Sequence, residues 1–257
     1  MRVAVLGLGE AGSIYAADLA GRGVTVAGTD PKVLTAPPGT VRADSIAAAC
    51  RGAGVVLSLV GGAAAGAALA EALPAMDPGA IYADLNTAAP EAKRRSALSA
   101  QRQGVMFVDV AVLAPVARAR LATPLLLSGP GTDPLLPVLA DWGIPAAGAG
   151  AEAGTAAGLK LLRSVFMKGL AASVIESVTA ARALGAEEWL TGQIAGELGP
   201  DGPALVARLL AGTPTHAVRR ETEMREARAF LDTLGVFHPM TDGAIEWLHL
   251  LAGDSPD

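Results

Sequence analysis

Two groups of residues in this 257-residue chain have types and spacing that could do chemistry. The first is Gly7-Leu8-Gly9-Glu10-Ala11-Gly12, which follows the apolar run Val3 to Leu6 and leads at once into an Ala-rich helical pattern. A second run, Val24-Thr25-Val26, then delivers a carboxylate at Asp30, eighteen residues past Gly12. Strand, glycine turn, helix, strand and acid in this order make a dinucleotide fingerprint. Gly7 permits a tight turn, Gly9 lets backbone approach a pyrophosphate, and Gly12 lets helix and strand pack closely. The helix N-terminus offers unpaired N–H groups and a partial positive charge to the phosphates. Asp30 can accept hydrogen bonds from both adenosine ribose hydroxyls and repels a 2′-phosphate, which points to NAD. Lys32 could pair with a 2′-phosphate, so NADP stays open. The plainer readings are a Gly-rich turn without ligand and a turn-forming Asp30-Pro31.

The second group is Lys160, Ser164 and Lys168, at i, i+4 and i+8 on one helical stripe, with Arg163 beside Lys160 at i+3. The surrounding pattern is rich in Leu, Val, Ala and Met, so a polar stripe must face water or a cleft. Facing a cleft, Lys160 reads as an acid/base lysine opposite the nicotinamide, its pKa lowered by like-charge neighbours and partial burial. Cation usage bears on this. Of twenty Lys and Arg residues only four are lysines, Lys32, Lys93, Lys160 and Lys168. Arginine cannot release its proton at accessible pH, whereas lysine can be shifted into working range.

These groups need elements to hold them. The first half alternates short apolar runs with helical segments, which predicts a parallel, doubly wound sheet. Strands are expected at Ala53 to Val60, Ala80 to Asp84, Val105 to Asp109 and Pro124 to Ser128. In open α/β sheets ligands sit beyond the carboxyl ends of strands, so Val60, Gly61, Asn86 and Thr87 are candidate cofactor walls. Their alternative role is ordinary turn chemistry. From about Glu152 to Leu184 the pattern is one long helix, about 50 Å at 1.5 Å per residue, closed by Gly185. Further helices are expected at Glu187 to Glu197, Gly202 to Ala211, Pro214 to Leu234 and Thr241 to Ala252. The predicted fold class is α/β: an N-terminal Rossmann-type doubly wound, mostly parallel sheet, a long interdomain helix and an all-α C-terminal domain. Residues 1–150 are expected to bind NAD(P), and residues 151–257 to form a substrate and dimerisation domain.

Composition narrows the class. The chain is 51% hydrophobic, with a mean hydropathy of +0.42, yet Gly or charge interrupts every apolar run before a span of ~18 residues. A net charge of −5 argues against nucleic acid as the main partner. The single Cys50 and three histidines give neither an intrachain disulfide nor a metal cluster. The chain opens directly with a strand the fold needs, so no signal peptide is expected, and a cytoplasmic location is.

The motifs resemble the β-hydroxyacid dehydrogenase family, relatives of 6-phosphogluconate and 3-hydroxyisobutyrate dehydrogenases. The glycine loop resembles the family's G-L-G-x-M-G, with Ala11 for Met. Asp84-Leu85-Asn86-Thr87-Ala88-Ala89-Pro90 resembles D-x-S-T-x-x-P, which lies beside the nicotinamide ribose. The catalytic pattern G-x-G-x-x-x-K-x-x-N-N is similar to the stretch from Gly154 through Lys160 to Ser164, and Glu176 and Gly185 support that register. The resemblance covers residues 1 to about 185. The remainder resembles a compact C-terminal domain carried by one branch of these enzymes. The resemblance implies an NAD(P)-dependent homodimer in which Lys160 exchanges a hydroxyl proton and Ser164, with Asn86 or Thr87, orients substrate and nicotinamide.

The substrate side departs from the family. Its D-A-P-V-S-G-G stands here as Asp109-Val110-Ala111-Val112-Leu113-Ala114-Pro115. Leu113 thus replaces the serine that helps bind a substrate carboxylate, and proline removes a backbone donor. Arg163 and Ser164 replace the two asparagines. A new grip is expected at Thr215-His216 and the helix after it, where His216, Arg220 and Glu223 share one face. Arg163, Arg220 and Arg118 could hold an anion by forked hydrogen bonds, with Leu113, Ala114 and Lys168 nearby. An intrahelical ladder of Arg219 or Arg220 with Glu223 is the alternative. The expected activity is hydride transfer between nicotinamide and a small anionic hydroxy acid or related hydroxy compound. Imine or ketone reduction and oxidative decarboxylation remain open, as does a non-catalytic NAD-binding sensor. The resemblance weighs against two of these: imine reducers carry Asp or Tyr at the Lys160 position, and decarboxylases an acid where Met167 stands.

Overall fold

Eight strands form one sheet in the computed structural model of the chain, which describes residues 1–253. They are β1 (Arg2–Leu6), β2 (Thr25–Thr29), β3 (Thr40–Arg42), β4 (Val55–Ser58), β5 (Ile81–Asp84), β6 (Met106–Val112), β7 (Leu125–Ser128) and β8 (Ala146–Gly148). Their spatial order is β3-β2-β1-β4-β5-β6-β7-β8. Every neighbouring pair is parallel except β6 with β7. Strand order reverses direction between β1 and β4, which is the topological switch point where such sheets bind ligands.

Helices follow the strands. They are α1 (Glu10–Gly21), α2 (Ile46–Cys50), α3 (Gly62–Ala72), α4 (Pro90–Gln101), α5 (Val116–Ala119) and α6 (Thr132–Asp141). Both sheet faces are covered, so the central strands bury alternate residues on opposite sides. Val3 and Val5 pack with Leu57, Val108 and Leu127 on one face. Ala4 and Leu6 pack with Val56, Tyr82 and Phe107 on the other. The near-continuous apolar runs are explained by this double burial. The edge strands β3 and β8 had no such signal, because Thr40-Val41-Arg42 and Ala146-Ala147-Gly148 carry little apolar side-chain volume.

The chain divides into two units, Met1–Lys160 and a second from Leu161 onward. Helix α7 (Thr155–Ala183) is 29 residues long, and Gly185 after it takes φ +70. It is followed by α8 (Glu187–Glu197), α9 (Gly202–Thr215), α10 (Ala217–Thr233) and α11 (Pro239–Gly253). In the second unit Ala171, Val174 and Val178 pack with Ala195, Val206 and Leu209, while Ala172 joins Met224, Ala244, Ile245 and Leu248. Among the described residues no helix is long and apolar enough to cross a membrane.

One helix boundary is corrected. Pro214 does not open a helix; it lies in the last turn of α9, and the chain breaks at His216 before α10. Proline removes one N–H there, and hydroxyls on either side add bonds to neighbouring carbonyls. Thr213 Oγ1 donates to Leu209 O at 2.6 Å and Thr215 Oγ1 to Ala211 O at 3.1 Å.

His238 ties the C-terminal end of α10 to the start of α11. Its Nε2 lies 2.9 Å from Asp232 Oδ1 and its Nδ1 3.1 Å from Asp242 Oδ2. With carboxylates at both nitrogens the ring is best served as an imidazolium, a donor at each. The bond to Asp232, with a second to Asp242, raises its pKa above the ordinary value. A raised folded-state pKa means the stabilisation is fully present below the unfolded value of ~6.5 and is lost as pH rises through the folded one. Denaturation of the second unit is therefore expected to need less urea as pH climbs above about 6.5. His238→Gln should remove that slope; a slope unchanged by the substitution would refute the assignment.

Candidate dinucleotide and proton-transfer site

The loop after β1 is shaped by what glycine omits. Gly7 takes φ +86, in the left-handed region that favours glycine. A Cβ at Gly12 would collide with the Gly7 carbonyl oxygen, so α1 can start this close to β1 only with glycine there. Above Gly9 the opposite holds: no heavy atom lies within 4 Å of where a Cβ would stand. No side chain caps the start of α1 at Gly9, which leaves its first N–H groups to a ligand. Leu8 is buried under the loop and packs in the core, Ala11 is partly buried, and Gly9 and Glu10 are exposed. The loop therefore fits a pyrophosphate.

Asp30 follows β2 directly. Its Oδ2 accepts from Leu8 N at 2.8 Å, and its Oδ1 from Lys32 N at 2.7 Å and Val33 N at 3.1 Å. Partial burial pushes its pKa up, but these backbone bonds and the charge of Arg42 outweigh that and hold it below the ordinary carboxylate value. The carboxylate thus ties the second strand to the glycine loop. Arg42, unremarked in the sequence, donates to Asp30 O at 2.7 Å and to Ala43 O at 3.3 Å. Its position on a short edge strand hid it.

The walls after β4 and β5 are joined through Asn86. Its Oδ1 accepts from Gly61 N at 2.7 Å, and its Nδ2 donates to Ser58 Oγ at 2.9 Å and Asp84 Oδ1 at 2.6 Å. Val60 is half-buried beside Gly61, and Thr87 is exposed. Lys160, in the second turn of α7, reaches this wall: its Nζ donates to Thr87 Oγ1 at 3.4 Å. The glycine loop, Asp30, Gly61, Asn86, Thr87 and Lys160 all lie in the first unit, on loops at the carboxyl ends of β1, β2, β4 and β5 or on the first turns of α7. Leu113 and Ala114, half-buried after β6, and Arg118, exposed on α5, belong to that unit as well. Leu113 N is spent on Pro124 O at 3.0 Å.

The remaining candidates lie in the second unit. Ser164 Oγ accepts from Lys168 Nζ at 3.0 Å, and Lys168 pairs with Glu223 at 2.7 Å. Arg219 also reaches Glu223, at 2.8 Å. On the expected face of His216, Arg220 and Glu223 the side chains take different hydrogen-bond and ion-pair partners. His216 is exposed at the break before α10, and Glu223 serves Lys168 and Arg219. Arg220 instead donates to Thr213 Oγ1 at 2.6 Å. Burial and neighbouring Arg219 lower its pKa, but a guanidinium stays charged. Arg163 is exposed.

Sequence reasoning passed over a buried row. Ser58, Asp84, Asp109 and Ser128 are register neighbours across β4, β5, β6 and β7. Lys93 from α4 inserts between the two carboxylates, 3.1 Å from Asp84 Oδ2 and 3.3 Å from Asp109 Oδ1. The available signal was four strands each carrying a polar residue at or near its end, and one lysine on a helix after the second.

The model of the NAD binding domain of 6-phosphogluconate dehydrogenase matches residues 2–144, and that of a domain of unknown function, DUF1932, matches residues 181–251. No curated protein matches the chain. Among solved structures, a conserved hypothetical protein from Sinorhizobium meliloti 1021 is 30% identical, over 97% of this chain and 87% of its own, with a TM-score of 0.81. The conserved protein MTH1747, of unknown function and reported as structurally similar to 3-hydroxyacid dehydrogenases, is 28% identical over 98% and 97%, with a TM-score of 0.83. The 3-hydroxyisobutyrate dehydrogenase of Mycobacterium tuberculosis, solved with L-serine, shares the fold: TM-score 0.84 over 98% and 94%, at 22% identity. The first unit is an NAD(P)-binding domain, and the chain belongs to the family of the NAD binding domain of 6-phosphogluconate dehydrogenase.

Proposed function

We propose that the chain is an NAD(P)-dependent oxidoreductase acting on a small anionic hydroxy acid or related hydroxy compound, with Lys160 as the proton-transfer group. The observation that carries this reading is the placement of Lys160 Nζ on Thr87 Oγ1, beside the wall that Asn86 builds at the carboxyl end of β5. Nicotinamide, when bound, supplies or accepts the hydride at C4. Lys160 takes the hydroxyl proton in oxidation and returns it in reduction. Asn86, Thr87 and Ser164 orient the reactants. Arg220, half-buried beside Thr213, is the candidate hold on the substrate's negative charge, with Arg163, Lys168, Arg118 and His216 as further candidates. Residues 151–257 serve as the substrate domain and as the surface for a homodimer, for which exposed Trp189 and Phe237 are available apolar groups. A cytoplasmic location accompanies this reading.

NAD is the proposed cofactor. The Asp30 carboxylate keeps its charge beside the glycine loop and would oppose a 2′-phosphate. The nearby Arg42 and exposed Lys32 favour the second reading, NADP. A spectrophotometric screen of hydroxy acids with both cofactors decides: reduction of NAD faster than of NADP is expected, and Asp30→Ala should narrow the ratio about tenfold or more, a change of ~1.4 kcal/mol. No reduction of either cofactor by any hydroxy acid would count against the function. Turnover confined to ketone plus amine would favour imine reduction instead.

A further inference from the structure

Asp84 and Asp109 are register partners on adjacent parallel strands, exposed 3% and 1%. Two buried carboxylates on neighbouring register positions repel, and a cation between them relieves the repulsion. Lys93, exposed 1%, supplies it. Its ammonium donates to Asp84 O at 2.9 Å and stands as an ion-pair partner 3.1 Å from Asp84 Oδ2 and 3.3 Å from Asp109 Oδ1, the latter oxygen having no hydrogen bond of its own. Arginine's planar fork could not present this set.

Each carboxylate uses its other oxygen on a different part of the site. Asp84 Oδ1 accepts from Asn86 N at 3.0 Å and Asn86 Nδ2 at 2.6 Å, and Asn86 in turn holds Gly61 N. Asp109 Oδ2 accepts from Gly154 N at 3.2 Å and Ala157 N at 2.9 Å, at the start of α7. Ser128 Oγ adds a bond from Ala156 N at 2.9 Å and itself lies 3.3 Å from Asp109 Oδ2. One arm therefore ends on the loop that carries Thr87, and the other on the helical turn preceding Lys160. Lys160 and Thr87 meet where the arms close.

We propose that Lys93 is a positioning residue: by clamping Asp84 to Asp109 it fixes the first turn of α7 against the Asn86–Thr87 loop and so sets where the Lys160 ammonium stands. This rests on the reading of Lys160 as the proton-transfer group, but its geometric core can be tested without turnover. The chain has four lysines, so protein labelled with 13C-lysine gives four side-chain ammonium-bearing groups, assigned by single substitutions. NADH is the added probe. In Asp109→Asn, which leaves Lys93 and Asp84 as a balanced pair, the Lys160 signal is expected to move toward that of exposed Lys32, with Lys168 unmoved. Thr87→Ala should shift the Lys160 signal in the otherwise unaltered protein and not in Lys93→Met, a coupling that a double-mutant cycle isolates. With a substrate from the hydroxy-acid screen, kcat should fall about a hundredfold in both variants, the cost of a misplacement of ~1 Å, while NADH affinity stays within about threefold, well under one 1.4 kcal/mol step. Should Lys93→Met fail to fold, Lys93→Gln, which keeps a donor without the charge, takes its place, because Asp109 also holds α7 directly. A lowered melting temperature with the Lys160 signal unmoved overturns the proposal and leaves Lys93 a structural ion pair. A moved signal together with full activity in Lys160→Met sustains the positioning and refutes the function.

Discussion

Replacing Lys160 by methionine is expected to lower kcat by at least about a hundredfold, the range a positioned acid/base group supplies, while NADH binds within about threefold of the unaltered protein. Methionine keeps the length and apolar stem but has no proton to exchange. Lys160 is half-buried and reaches Thr87 Oγ1 at 3.4 Å, after β5, and not the glycine loop after β1; on the proposed function Thr87 borders the nicotinamide. The two readouts must therefore separate. Steady-state kinetics beside fluorescence titration with NADH would show it. An equal loss of affinity and turnover would mean that Lys160 binds cofactor, and full turnover would remove it from the chemistry.

The second large effect falls at Gly12. Any side chain there meets the Gly7 carbonyl oxygen, and neither partner can swing away, because both are backbone in the turn joining β1 to α1. Gly12→Val must push α1 off β1 or open the loop. Overpacking of this kind costs about 1–3 kcal/mol, which taken from binding is roughly a fivefold to 150-fold loss of NADH affinity. Circular dichroism would verify that the fold persists, and calorimetric titration would read the loss. Unchanged NADH affinity in a folded Gly12→Val would mean the dinucleotide does not use this loop.

The glycine loop was legible because each residue's task is local: a left-handed turn at Gly7, a close approach at Gly12, an acid where β2 ends. Lys160 was legible for a similar reason, since a polar stripe on an apolar helix needs only the period of one element. What escaped depends on register between elements distant in sequence. Lys93 reads as one more cation on a helix until β5 and β6 pair Asp84 with Asp109. Glu223 reads as a partner for either arginine of its own helix, and only the packing of α7 near α10 gives it Lys168. Pro214 reads as a helix start, a position where proline is over-represented, yet α9 runs through it to Thr215. The edge strands β3 and β8 escaped because their three residues each carry little apolar side-chain volume.

The proposed substrate residues follow the same division. Leu113, Ala114 and Pro115 announced a departure from the family pattern, and Leu113 N is turned onto Pro124 O. Arg220 donates to Thr213 Oγ1, while Glu223 pairs with Lys168 and Arg219.

The most direct measurement is a crystal structure of the chain with NADH bound. The account predicts the pyrophosphate on the turn from Gly7 to Gly12, the adenosine ribose at Asp30, and Lys160 Nζ close enough to nicotinamide C4 that a hydroxyl on the reacting carbon falls within ~3 Å of it. NADH seated on the glycine loop, with its nicotinamide directed away from Thr87 and Lys160, would contradict it.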